Sequence, residues 1–147
     1  MLSHLSITNY AIIESLEVDF NKGLTVITGE TGAGKSILLG ALSLILGKRV
    51  DTSVLNDASK KCVIEGTFQV VESKFKTFFS SNDLDFDEET TVRREISSAG
   101  KSRAFINDTP VNLGVLKEFS EVLIDIHSQH QTLQVRDNNF YSGYTIF

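Results

Sequence analysis

Gly29-Glu30-Thr31-Gly32-Ala33-Gly34-Lys35-Ser36 fits G-x-x-x-x-G-K-[ST] at every fixed position. The residues around it fit as well. Leu24 to Thr28 is a short, β-branched apolar run that reads as a buried strand, and Ile37 to Leu46 reads as a helix. A strand, a glycine-rich loop and a helix in that order form a phosphate cradle. Gly29, Gly32 and Gly34 allow backbone conformations that a side chain would forbid, so the loop N–H groups can turn inward. The helix N-terminus adds its partial positive charge. Lys35 faces the β- and γ-phosphates, and the Ser36 hydroxyl is placed to ligate Mg²⁺. The motif therefore predicts a nucleoside triphosphate, ATP, with Mg²⁺, held by Gly29, Glu30, Thr31, Gly32, Ala33, Gly34, Lys35 and Ser36.

On the N-terminal side, Leu2, Leu5 and Ile7 open an apolar stretch that ends at Asn9-Tyr10. Leu16, Val18 and Phe20 alternate with polar residues, the period of a half-buried strand. Asn21-Lys22-Gly23 supplies a turn. Beyond the loop, the apolar residues of the 37–46 helix nearly encircle it, which predicts burial on all sides. Lys48 to Lys61 is polar and loop-like. Cys62, Ile64, Phe68 and Val70 share one face of a strand, and Lys74 to Phe79 reads as a short helix. Thr90–Ser97 and Ser102–Asn107 read as a hairpin turning at Ser98-Ala99-Gly100-Lys101. Asn112 is placed to cap a helix through Phe119. Val122 to Ile126 reads as a second buried strand. The order predicts an α/β domain, a mixed sheet built around one strand–loop–helix unit.

The bulk properties agree with one globular domain. The chain has 147 residues, 41% of them hydrophobic and 22% charged, with a net charge of −5. That balance argues against an all-over basic surface but allows a local basic patch. No apolar run approaches the ~18–20 residues of a membrane span. The N-terminus lacks the basic-then-apolar pattern of a secretory signal. One cysteine, Cys62, excludes an internal disulfide and suits a reducing cytoplasm. A single proline, Pro110, leaves no Pro-rich linker.

A phosphate loop binds nucleotide without of itself hydrolysing it; turnover also needs a second acid on the metal and a group that positions water. Val122-Leu123-Ile124-Asp125 has the form of an apolar strand ending in an acid, but Ile126 and His127 follow where a second carboxylate would stand. Asp125 is either a metal ligand of a self-contained small P-loop enzyme or an aspartate closing a buried strand. No Asn-Lys-x-Asp follows, as a GTPase would carry, and no Asp-Glu-x-His, as a helicase would. Arg93, Arg94 and Arg103 are too scattered for a kinase lid.

Leu5-Ser6-Ile7-Thr8-Asn9-Tyr10-Ala11-Ile12-Ile13 resembles the opening of SMC-like ATPases, where a strand leads to an Asn–aromatic pair shortly before the phosphate loop. Within that group the chain resembles the bacterial RecN family at three places. These are Ile27-Thr28 followed by the loop and Ile37-Leu38-Leu39; Arg103-Ala104-Phe105-Ile106-Asn107; and Ile124-Asp125-Ile126-His127-Ser128-Gln129-His130-Gln131. The resemblance runs from about Met1 to Asn139. It implies an ABC-type ATPase head acting in DNA double-strand-break repair and recombination, with residues 1–139 as the N-terminal half of that head. Residues 140–147 stand apart as a truncated or foreign tail.

In this family the signature motif, the Walker B acid and the catalytic glutamate come from a C-terminal half, beyond a coiled coil. The resemblance therefore implies three partners: that second half, a second head recruited by ATP-dependent dimerisation, and DNA. It implies no membrane, and a bacterial cytoplasmic, nucleoid-associated location. It also implies that Asp125 closes the strand before the Q-loop and that Gln129 touches Mg²⁺ and the attacking water. His127 is a rival for that role. Ser128 departs from the family's glycine.

Arg49, just after the phosphate-loop helix, is either a solvated arginine favoured by the helix dipole or, as the resemblance implies, a contact to nucleotide phosphate across the dimer. If Ser97 faces Ser102, then Arg94 and Arg103 point to one side. With Lys101 they would make a small phosphate-contacting patch; the other reading is a solvated strand face. Phe75, Phe78 and Phe79 read as core.

Overall fold

The computed structural model describes residues 1–23, 33–50 and 52–131, and for residues 33 and 124–131 the backbone only. The anticipated strand Leu24–Thr28, the first half of the glycine loop and the 140–147 tail lie outside the described residues.

Among the described residues six strands form one sheet: β1 (Leu2–Tyr10), β2 (Ile13–Asp19), β3 (Cys62–Gln69), β4 (Glu89–Ile96), β5 (Ser102–Ile106) and β6 (Thr109–Val111), in the order β2-β1-β3-β4-β5-β6. All five described pairings are antiparallel. The described α-helices are α1 (Ala33–Ile45), α2 (Glu72–Ser81) and α3 (Leu113–Gln131). Alternation along the strands sends Leu5, Ile7, Cys62, Ile64, Phe68, Val92, Ile96, Ala104 and Ile106 to one buried face. α1 crosses that face closely because residue 66 is glycine. A β-carbon there would stand 2.6 Å from Ile45 Cδ1 and 3.3 Å from Leu2 Cδ1. Beside α1, the rings of Phe75, Phe78, Phe79 and Phe119 interlock edge to face or tilted, with centroids 5.3–6.5 Å apart. The three phenylalanines of α2 are thus core, as read.

Several readings change. α1 is not buried all round: Ala41, Leu42, Leu44 and Ile45 are buried, Ile37 and Leu38 are half-buried, and Leu39 is exposed. The stretch 122–126 is not a strand but part of α3. A short apolar run cannot be assigned by periodicity alone. Here Leu116, Phe119, Ser120 and Leu123 continue one buried helical face. The helix starts where expected, with Asn112 Oδ1 accepting from the Val115 N–H at 3.1 Å. The reading missed β6. It follows a two-residue turn, Asn107-Asp108, with φ of 46° and 62°, the type I′ pattern that twists with its strands. Pro110 is tolerated there because β6 is an edge strand.

Candidate functional site

The described half of the phosphate loop is the first turn of α1. Gly34, Lys35 and Ser36 are exposed, and a β-carbon on Gly34 would meet nothing within 4 Å. The first turn carries no acidic residue to repel an anion. Ala33 is helical; Gly29, Glu30, Thr31 and Gly32 lie outside the described residues. What is described fits a phosphate and a Mg²⁺: open N–H groups, a cation and a hydroxyl on one helix start.

The other end of α1 is built more elaborately. Gly47, at φ 94°, donates to Leu44 O at 3.2 Å, and the Lys48 N–H donates to Ser43 O at 3.0 Å. This is the left-handed cap that closes a helix, and it needs glycine. A β-carbon would also meet Lys117 Cγ of α3 at 2.7 Å. α1 has no basic residue in its last turn. The cation is supplied from β4: Arg94, only 1% exposed, donates from Nη1 to Leu44 O at 2.8 Å and Lys48 O at 3.2 Å. Its Nε donates to Ser102 Oγ at 2.8 Å. Burial pushes its pKa below the usual arginine value.

That placement corrects the reading of a patch shared by Arg94 and Arg103. The hairpin loop has three residues, not four. Ser97 N–H donates to Lys101 O at 2.8 Å, and Gly100, at φ 82°, takes the left-handed position. Ile96 therefore faces Ser102, Arg94 faces Ala104, and Glu95 faces Arg103. A one-residue change of register reverses every side chain. Arg94 goes inward and Arg103 outward. On the outward face Arg93 is held by Asp108 at 2.8 Å, with Glu95 and Glu65 at 3.4 and 3.6 Å, and it stacks 4.5 Å from the Phe105 centroid. That face is internally neutralised.

Arg49 is exposed and lines a cleft of about 370 Å³ with Tyr10, Gly40, Ser43, Leu44, Lys48, Val50, Ser53 and Val54. Lys35 and Ser36, the described side chains of the phosphate loop, are not among the residues lining that cleft. One wall is fixed by an arrangement the sequence did not reveal. Asn9, buried at φ 56°, donates through Nδ2 to Asp57 O and Lys60 O, both at 3.0 Å, and accepts the Asp57 N–H at 2.6 Å. The Asn56 side chain returns to Ala11 O at 2.6 Å. The Asn–aromatic pair thus pins the segment that follows α1. Cys62 takes no part; burial pushes its thiol up to about 11, which keeps it unreactive.

His127 and Gln129 lie on the α3 backbone and not in a loop after a strand, as does Asp125. Their side chains lie outside the described residues. Asp125 therefore does not close a strand, the position a metal-binding acid would take.

An AAA domain family matches residues 4–141. The chain belongs to that family. Its sequence is 42% identical over 136 residues to the DNA repair protein RecN of Vibrio cholerae, covering 92% of this chain and 24% of that protein. It is 43% identical over 143 residues to RecN of Bacillus subtilis, covering 95% and 25%. The expected resemblance to RecN therefore holds along nearly the whole chain, which spans about a quarter of the length of these relatives.

The fold is that of SMC head domains and of RecF. The SMC head domain from Thermotoga maritima superposes with a TM-score of 0.58 at 20% identity, over 80% of this chain and 41% of that one. RecF bound to an ATP analogue gives 0.60 at 19%, over 84% and 29%. A chain from a study of ATP-driven dimerisation and DNA-stimulated activation of SMC ATPases gives 0.66 at 18%, over 82% and 78%. Among the described residues no helix is long and apolar enough to cross a membrane.

Proposed function

We propose that this chain is the ATP-binding N-terminal part of an SMC-like ATPase head that serves DNA double-strand-break repair and recombination. The observation that carries the reading is the complete G-x-x-x-x-G-K-S motif ending on the open first turn of α1, with Lys35 and Ser36 exposed. The backbone N–H groups of 29–34 and the start of α1 bind the phosphates, Lys35 neutralises the β- and γ-oxygens, and Ser36 holds Mg²⁺. A Mg²⁺ held through the Ser36 hydroxyl would supply charge neutralisation for the phosphates. Gln129, with His127 as its rival, orients the metal-bound side of the site and the water.

No pair of acids follows an apolar strand here, so the general base comes from elsewhere in the parent protein. The C-terminal half of the head, a second head joined by ATP, and DNA are the partners. The setting is the bacterial cytoplasm at the nucleoid. For phosphate groups at the far end of α1, the described cations include Lys48, Arg49 and Lys101, with Lys117 of α3 packed against Gly47. Gly100's β-carbon position is 3.4 Å from Thr52 Cγ2, so the hairpin tip adjoins the segment after α1.

The test is phosphate release by the purified chain, with Lys35→Ala as contamination control. Missing base and positioning groups commonly contribute ~10²–10⁴-fold each. The expected rate is background, rising when the C-terminal half is added. Robust Lys35-dependent turnover by the chain alone, lost in Asp125→Ala, would overturn this reading in favour of a self-contained enzyme.

A further inference from the structure

A guanidinium at a core position is expensive unless it is used. Arg94 sits on the inward face of β4 between Val92 and Ile96, both buried. An aliphatic residue there would fill the space without desolvating a charge. Among the described residues it has no carboxylate within ion-pair distance. Its described partners are instead three oxygens on two separate segments: Ser102 Oγ on the hairpin, and Leu44 O and Lys48 O at the end of α1. The planar fork reaches both segments at once, which an ammonium could not do. Lys48 is itself exposed, and Arg49 follows it into the cleft. On the hairpin side, Ser102 follows directly on exposed Lys101.

We infer that Arg94 is a positioning residue that locks the Lys48-Arg49 segment to the β4–β5 hairpin, so that Lys48, Arg49 and Lys101 present one rigid phosphate-binding rim. The inference rests on the proposed reading only in taking phosphate as the rim's ligand; the lock stands on the three hydrogen bonds. Two oxygens of the lock, Leu44 O and Lys48 O, bracket the left-handed glycine, so the lock acts on the turn that aims the next two side chains.

The experiment has two arms on the whole chain. The first measures amide hydrogen exchange in wild type, Arg94→Lys and Ser102→Ala, the milder variants serving where Arg94→Met fails to fold. The expected result is a rise in exchange over wild type at Gly47, Lys48 and Arg49 at least tenfold larger than the rise at the β3 amides, with β3 protection falling only as far as the melting temperature does. Exchange that rises equally everywhere, or not at all at 47–49, overturns the lock. The second arm titrates a 30-base-pair DNA duplex at moderate salt against Arg49→Ala, Arg94→Lys and the double variant. Each single change is expected to weaken binding several-fold, and the double variant by clearly less than the product of the two losses, a coupling that a filler residue would not show. Arg49→Ala with unchanged affinity would remove phosphate as the ligand while the exchange arm still decides the lock. Fully additive losses would overturn the positioning role.

Discussion

The Tyr10 hydroxyl rests against Gly40 where a β-carbon on α1 would have to be. The β1 strand end and the phosphate-loop helix meet at this point, on the wall of the cleft that Arg49 lines. With the hydroxyl removed, the nearest atom to that β-carbon would be Tyr10 Cζ at 3.6 Å, an ordinary contact. Gly40→Ala should therefore cost about 1–2 kcal/mol in the wild type, since overpacking outweighs the ~1 kcal/mol gained in helix propensity. In a Tyr10→Phe background the same change should be neutral or stabilising. Denaturant melts of the four proteins check this; equal effects of Gly40→Ala in both backgrounds would show that the contact is not what forbids a side chain.

Ala11, in the β1–β2 connection, and Asn9, near the end of β1, should respond in opposite directions. Ala11 adopts φ 51° at the first position of its turn, where glycine is unstrained. Ala11→Gly should raise stability by about 0.5–1 kcal/mol. Asn9→Ala strands the Asp57 N–H and two carbonyls and should cost about 1–3 kcal/mol. Thermal melts decide both, and a loss from Ala11→Gly would contradict the strain argument.

His4 and Asp19 face each other across β1 and β2 at 2.6 Å. The Asp19 hydrogen bond raises the His4 pKa above its ordinary 6.5, outweighing a small desolvation effect. A folded pKa above the unfolded one means the pair stabilises fully below about pH 6.5 and loses that contribution as pH rises through the folded value. Both groups are near solvent, so the effect should stay under about 1 kcal/mol. The stability difference between wild type and His4→Gln should shrink from pH 5.5 to pH 8.5; a difference that grows with pH would reverse the assignment.

Sequence alone resolved what local chemistry dictates. The β3 face is read from strict alternation, and the α3 start from the oxygen of Asn112. It failed where the outcome depends on a count or on a distant partner. Whether the Ser97–Lys101 loop holds three residues or four decides which way Arg94 points, and no residue type in it announces that count before Gly100 is seen at φ 82°. Asn9 looked like part of a family signature; its work is done on Asp57 and Lys60, 48 and 51 residues away. Val122 to Ile126 is apolar enough for either state, and only the buried face shared with Leu116 and Phe119 makes it helix.

The central claim is that ATP is held at the start of α1 through Lys35. Titration of a fluorescent ATP analogue with Mg²⁺ onto the purified chain tests it most directly, comparing wild type with Lys35→Ala. Losing the cation that faces the β- and γ-phosphates should weaken binding by at least about tenfold. Saturable binding by wild type and loss of that order in the variant is the result expected; equal binding by both proteins would contradict the assignment of the site.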